Sequence, residues 1–413
     1  MKQYLDVLKD ILETGDVKTD RTGTGTTSKF GGMMKFSLRH GIWPIPTTRE
    51  VAWKKIAEEL EWMLKGIISV DWLQDRDNKI WNSWTGPESG TIGPMYGEQW
   101  RNWTTGMSVA DVHKMLDQFA EEIGSVDINV ADIRQFMDEK IAPKYKTFEE
   151  GGSGGVDQLM NIVNELKNNP DSRRLVVNVW HAGLLPDTSM TPAQNADAGR
   201  MALAPCHSMW QVNTAPMSAF EVLRYSMDQE DFAVAIFKEV FGGMRGLSHE
   251  AQELYYKTRI NNELVTRGLL VGKNMQYNLG NDSELELTEA GQLEVDKILD
   301  GGFTARKLSL ACFARSQDVP LGTVFNVGMY SLLAHLLAEV TGFVPWEYTH
   351  FMGDYHIYHD QHEGVKKQLD RTPMEPARII VDPTLEDVTQ FDSTRLTVYY
   401  KSHPPIRFKP AAV

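Results

Sequence analysis

The sequence predicts an α+β fold with helical insertions, and three features carry that prediction. Amphipathic helical segments and β-branched strands both occur, but they do not alternate as a βαβ series would. A glycine run over Gly151–Gly155 reads as a linker by composition. A long mixed-charge tract from about Asn213 to Thr304 reads as largely helical, an accessory piece added to a single domain spanning 1–413.

The elements follow in order. Lys2 to Thr14 places Tyr4, Leu5, Leu8, Ile11 and Leu12 on one stripe, the helical period. The loop Asp20-Arg21-Thr22-Gly23-Thr24-Gly25-Thr26 is too glycine-rich for a helix interior. Phe30 to Leu38 alternates as a strand, and Thr47-Thr48 could cap a helix over Glu50 to Leu64. Helical periodicity returns from Met107 to about Pro143 (Val112, Leu116, Phe119, Ile123) and from Val156 to Asn168. Arg174 to Trp180 is β-branched and strand-like. Within the 213–305 tract, Phe232, Ile236, Phe237, Val240 and Phe241 form an apolar stripe that needs something to pack on. Leu308 to Phe313 reads as a buried strand, Val324 to Thr341 as a helix, and Leu396 to Tyr400 as a closing strand.

Composition narrows the function classes. The chain is 42% hydrophobic and 24% charged, ordinary for a globular protein. A formal charge of −14 argues against a general grip on nucleic acid, which needs cations to displace counterions. Converging arginines could still hold a small anion against that field. No apolar run is long enough to span a bilayer, and no charged-then-apolar leader follows Met1. Two cysteines make no disulfide framework and are too few for a structural zinc site, so a reducing cytoplasm fits.

Several residues could carry chemistry. Cys206, in Ala204-Pro205-Cys206-His207, would be a nucleophile if nearby cations or donors favoured its thiolate; taken alone it reads as readily as a small buried hydrophobe. Cys312 lies in an apolar strand and reads as core. Arg21, Arg173-Arg174 and Arg315-Ser316 each sit at a loop or strand end, where guanidinium forks and a hydroxyl can cradle phosphate; solvated surface arginine is the alternative. Glu59 lies on an otherwise core-facing helix, and Glu58 or Glu61 would serve equally on spacing. Asn326 stands between apolar neighbours, where a pyrimidine edge could satisfy its amide, as could a helix-capping role. His350, His356, His359 and His362 match no zinc spacing, so no metal is expected.

Read together and in order, these segments resemble the thymidylate synthase family, including its pyrimidine hydroxymethylase relatives. The resemblance rests on Asp20-Arg21-Thr22-Gly23-Thr24-Gly25, Glu59-Leu60 with Trp62 and Gly66, and Ile80-Trp81. It continues through Gly93-Pro94-Met95-Tyr96-Gly97, Gln99-Trp100-Arg101, Asp171-Ser172-Arg173-Arg174 and Met201 to His207. Arg315-Ser316-Gln317-Asp318, Phe325-Asn326 and Gly353-Asp354-Tyr355-His356-Ile357-Tyr358 complete it. The tracts near 105–150, 185–199 and 213–305 are extra, and the first and last read as helical insertions that could contact other proteins.

The resemblance implies a twisted mixed β-sheet forming the interface of a homodimer with shared active sites. It implies Cys206 as the thiolate that attacks C6 of dUMP, with 5,10-methylenetetrahydrofolate as co-substrate. Arg21, Arg315 and Ser316 would hold the phosphate, with Arg173 and Arg174 reaching in from the other subunit. Glu59 would relay protons, Tyr96 and His207 would belong to the surrounding network, and His356 and Tyr358 would contact the deoxyribose hydroxyl. Asp318 and Trp81 would face the pterin, and the tail ending in Ala412-Val413 resembles the synthase's closing C-terminus. Asn326 selects uracil, because an amide donates to O4 and accepts from N3–H, whereas cytosine presents the reverse pattern.

Two products branch from a methylene on C5. Hydride gives dTMP and dihydrofolate; water gives 5-hydroxymethyl-dUMP. Trp81 and the tail favour the first by shielding the methylene. Asn82, Phe313, Val324, Gly328-Met329 and the Cys206–Val212 stretch depart from the synthase pattern, and the insertions resemble enlarged relatives from DNA viruses that make modified thymine. The sequence expectation is therefore hydroxymethylation.

Overall fold

The computed structural model describes residues 1–19, 23–104, 135, 155–227, 249–274 and 278–409. Arg21, Ala412, the periodic segment 107–143 and the stripe over 232–241 lie outside the described residues.

The first helix, α1 (Lys2–Thr14), forms where the periodicity puts it and buries Tyr4, Leu8 and Ile11. After β1 (Asp16–Lys18), β2 runs Thr26–Ser37, longer than the expected strand, and then comes the short β3 (Ile42–Trp43). Helix α2 (Trp53–Leu64) starts later than Thr47-Thr48 suggested. Those two hydroxyls serve tertiary contacts instead: Thr47 accepts from the Met374 N–H at 2.9 Å and Thr48 from the Gln368 amide at 2.9 Å. Next come α3 (Asp71–Gln74), α4 (Tyr96–Arg101) and α5 (Gln158–Asn168), the last capped by the Asp157 carboxylate.

The second half begins with β4, which spans only Val176–Asn178, then α6 (Pro192–Asp197) and β5 (His207–Pro216). The accessory tract supplies α7 (Ala219–Met227), α8 (His249–Thr266), β6 (Leu270–Gly272), β7 (Leu285–Leu287) and α9 (Glu289–Asp300). The chain returns through β8 (Arg306–Asp318), α10 (Gly322–Thr341), β9 (Val344–Tyr358), α11 (His362–Leu369), β10 (Ala377–Ile380) and β11 (Thr397–Tyr399).

Six strands form the main sheet in the order β1-β2-β9-β8-β5-β4, and it is mixed: β8 and β9 run parallel while the other neighbours are antiparallel. The expected α+β class and mixed sheet are therefore present. A smaller sheet orders β11-β10-β3. The long strand β9 was not expected. Its alternation is disguised, because His350 points into the core at 0% exposure while Phe351 points out and stacks on Phe313 at 4.7 Å.

Helix α10 lies under the sheet and is buried nearly all round, so it shows almost no polar face. By length and composition it could cross a bilayer, which corrects the expectation that no segment could; here it is the core helix, most of it covered. Gly342 ends it in the left-handed region (φ 69°), where a side chain would be strained.

The tract read as largely helical is mixed. Its first residues still belong to β5, and it contains the two-stranded β6–β7 sheet. It has a second core of Val222, Leu223, Ile260, Leu264, Leu270 and Val295, closed against Ile42 and Val344 of the main body.

Candidate active site

Cys206 is the last residue of the loop before β5, and the loop is tied down on both sides. Ala202 donates its N–H to Ile92 O at 3.0 Å and Met201 to Leu184 O at 2.9 Å. Gly93 (φ 72°) permits this approach, since a Cβ there would collide with the Arg200 carbonyl. From the other side, Arg315 donates its backbone N–H to Cys206 O at 2.8 Å, its Nε to Pro205 O at 2.9 Å and an Nη to Ala204 O at 2.7 Å. Its guanidinium also lies over the Trp180 ring at 5.3 Å. Arginine and cysteine, far apart in sequence, are thus locked together by backbone geometry.

Tyr96 joins them. Its hydroxyl accepts the Cys206 N–H at 3.2 Å, and its ring stacks on His207 at 4.0 Å. Its φ of 25° is unusual for a side-chain-bearing residue, a strain held by that packing. The charges of Cys206, Glu59 and Arg315 all reach this hydroxyl, and burial raises its pKa well above the ordinary tyrosine range. His207 has its Nδ1 2.6 Å from the Tyr330 hydroxyl, and burial with the nearby His350 drives its pKa down to about 3. The imidazole is neutral at physiological pH.

Two carboxylates complete the cluster. Glu59, on the buried face of α2, accepts from Trp81 Nε1 at 2.9 Å, and burial raises its pKa to about 7 against that hydrogen bond. Of the three glutamates in that stretch, Glu59 is therefore the one at the site. Glu61 instead pairs with Lys65 and accepts from the Ser393 N–H, and Glu58 pairs with Lys55 and Asn78. Trp81 packs on Tyr96 at 5.8 Å and Trp84 at 5.6 Å. Asp318, at the end of β8, is pushed by burial up to about 6 against hydrogen bonds from the Gln361 amide and the Leu321 N–H.

Burial also raises the Cys206 thiol; Arg315 opposes that and Asp318 adds to it. The thiolate-favouring arginine is present, but desolvation outweighs it, so the resting group is the thiol.

The remaining expected residues fall in two sets. Ser316 follows Arg315 on β8 opposite Asp354, and Asn326 is half-buried in the first turns of α10 with no hydrogen-bond partner among the described residues. His356 holds Asp354 at 2.9 Å and packs edge-on to Tyr358 at 5.2 Å, while Lys18 holds the same carboxylate at 3.0 Å. These line the same end of the sheet. Arg173 and Arg174 do not join them: both are exposed in the loop before β4, with no side-chain partner among the described residues. Among the described residues no group of three His, Cys, Asp or Glu could hold a metal ion.

Sequence reasoning missed Gln361, Tyr330 and Arg49. Gln361 lies among the histidines that drew attention as possible ligands, and Tyr330 is hidden in an apolar helix. Tyr330 carried the signal that marked Asn326, a polar atom in an apolar setting; Gln361, between Asp360 and His362, and Arg49, between Thr48 and Glu50, carried none, and Arg49 enters through its charge on Asp318.

The mixed sheet thus gathers a cysteine, an arginine, a neutral histidine and two buried carboxylates of raised pKa at one end, a set of groups able to carry covalent and acid–base chemistry. The chain matches the thymidylate synthase family over residues 2–236 and 290–412, and it belongs to that family. Membership makes it a transferase of one-carbon units to dUMP. The unmatched 237–289 lies inside the accessory tract.

Proposed function

We propose that Cys206 adds to C6 of dUMP and that C5, so activated, takes a one-carbon unit from 5,10-methylenetetrahydrofolate. The observation that carries this reading is the convergence of Cys206, Arg315, Tyr96 and Glu59 on one point, from four separate stretches of chain. Arg315 would turn from the loop carbonyls toward the phosphate, with Ser316 and the phosphate loop around Arg21. As the thiol adds, its proton must leave, and the ring oxygen gains charge. Glu59, near pKa 7, can supply or take a proton at neutral pH. Asn326, with its amide uncommitted among the described residues, would read uracil O4 and N3–H. His356 and Tyr358 would bind the deoxyribose hydroxyl.

Methylenetetrahydrofolate supplies the carbon and, on one branch, the hydride. The residues present suit it: Trp81 offers a flat wall beside Glu59, and Asp318 a buried carboxylate that can accept from a pterin N–H. The exposed Arg173 and Arg174 fit a role in a partner's site. Outward-facing Phe30 (83% exposed), Met33 (56%) and the Phe313–Phe351 stack on the sheet fit a homodimer built on that face.

On the product, the geometry supports dTMP. Four of the departures behind the hydroxymethyl expectation lie away from this cluster. Phe313 stacks outward on Phe351, Val324 and Met329 are core, Gly328 packs against Ile45 and Ile56, and Asn82 is exposed and bonded to Gln74. What remains beside Glu59 is a half-buried tryptophan braced by Tyr96 and Trp84, a wall that would limit the access of water to the methylene. Hydroxymethylation is the second reading, favoured by Glu59 itself: near pKa 7 it could take the proton of a water attacking the methylene.

Tritium release from C5-labelled dUMP with methylenetetrahydrofolate tests the shared chemistry; no release from the wild-type chain overturns it. Mass spectrometry of the nucleotide then separates the branches, a dTMP mass with dihydrofolate absorbance being the expected result.

A further inference from the structure

Gln361 lies in the single turn after β9 and is 1% exposed. A carboxamide accepts at its oxygen and donates two hydrogens from its nitrogen. Here the oxygen accepts the Tyr358 backbone N–H at 3.1 Å, which fixes how the amide faces, because an N–H only donates. The nitrogen is then aimed at two acceptors, Asp318 Oδ2 at 3.1 Å and the Lys409 carbonyl at 3.3 Å. One buried amide therefore ties together the ends of β8 and β9 and the C-terminal segment. Phe408 lays that segment on the same side: its ring packs on Gly364 and faces the Arg49 guanidinium at 5.2 Å.

We propose that Gln361 is a positioning residue that couples the seating of residues 403–409 to the orientation of Asp318. The proposal rests on the reading of Asp318 as the carboxylate that faces the folate. Glutamate at this position would keep the size but, when ionised, could donate to neither acceptor; methionine would keep the volume and donate nothing. The other groups that act on Asp318 are the Leu321 N–H and, among charged and titratable groups, His356 from β9, Arg49 from the loop before α2, Cys206 from the loop before β5 and Tyr4 from α1. None of them changes in the variants below, so a moved Asp318 titration reports the amide.

The test uses the full chain and three variants: Gln361→Met, Phe408→Ala and the double. Hydrogen exchange over 403–409 should be roughly tenfold faster in Gln361→Met. The Asp318 carboxyl, followed by 13C NMR, should titrate upward by roughly half a pH unit or more once the stabilising hydrogen bond is gone. Phe408→Ala should move that titration upward in the wild-type background and leave it unmoved in Gln361→Met. The KM for folate should rise about tenfold in either single variant, with the KM for dUMP within about twofold. An Asp318 titration unmoved by Phe408→Ala, or moved equally in both backgrounds, overturns the coupling. Should Gln361→Met not fold, Gln361→Glu carries the same expectations with a larger upward shift, since two carboxylates would then face one another. Absence of tritium release from the wild type would refute the reaction instead, and the exchange and NMR arms would still decide the coupling.

Discussion

Glu59→Gln separates the cost of the buried acid from its service. An ordinary glutamate ionises near 4.5, but in the fold Glu59 does so only at about 7, because burial penalises its charge. Between those values the folded chain holds a proton that the unfolded chain has lost, so stability falls as pH rises through the window. At roughly 1.4 kcal/mol per pKa unit, the full penalty is about 3 kcal/mol, of which about 2–3 kcal/mol accrues between about pH 5 and about pH 8. Glutamine keeps the oxygen that accepts from Trp81 Nε1 and carries no charge. Asp318, raised to about 6, acts in the same direction but is common to both chains and cancels in the comparison. Urea unfolding of both chains at the two pH values is the assay. The glutamine chain should gain about 2–3 kcal/mol on the wild type as pH rises, while its rate of C5 tritium release falls by at least ~100-fold. A relative gain below about 1 kcal/mol, or one of opposite sign, would show that Glu59 is not held neutral by burial.

Other residues make shorter predictions. Cys206→Ala should abolish C5 tritium release while dUMP still binds by equilibrium dialysis; residual release would exclude Cys206 as nucleophile. Asn326→Asp should change the dCMP-to-dUMP ratio of kcat/KM by at least ~100-fold toward dCMP, and an unchanged ratio would refute the edge-reading role. Tyr330→Phe removes the 2.6 Å partner of a buried imidazole and should cost about 1–3 kcal/mol in urea unfolding, with little change if Tyr330 only fills space. If the sites are shared, mixing inactive Cys206→Ala with inactive Arg173→Ala/Arg174→Ala subunits should restore up to about a quarter of the activity, because half the dimers are mixed and each carries one intact site. No recovery after subunit exchange would assign each site to a single chain.

How far the sequence could be read depended on what each segment packs against. α1 was legible to the residue because one face is buried and the other is wet, which is the condition for a clean helical period. β9 was not, because its inward positions include His350, bonded to Tyr348 at 2.7 Å, while its outward positions carry Phe351. Polar-in and apolar-out inverts the signal that periodicity relies on. The same inversion governed the site. Cys206, Glu59 and Asn326 could be nominated, since each is a chemically distinctive side chain in an apolar context, but nothing local distinguished Glu59 from Glu58 and Glu61. The family resemblance singled out Glu59, and the fold gives the physical reason, handing Glu61 to Ser393 and Lys65, Glu58 to Lys55 and Asn78, and Glu59 to Trp81. The substitutions that pointed to a wetter pocket are weak signals for the converse reason. A residue next to a motif in sequence need not face the site that the motif builds, and on β8 one step along the strand turns the side chain to the opposite face. Cys312 and Phe313 show it: the first is buried beside Tyr330 and Tyr348, the second lies on the outer face. Of the departures weighed for the product, Phe313 lies on the outer face of the sheet and bears on what that face meets, whereas the proposed choice between hydride and water turns on Trp81 and Glu59.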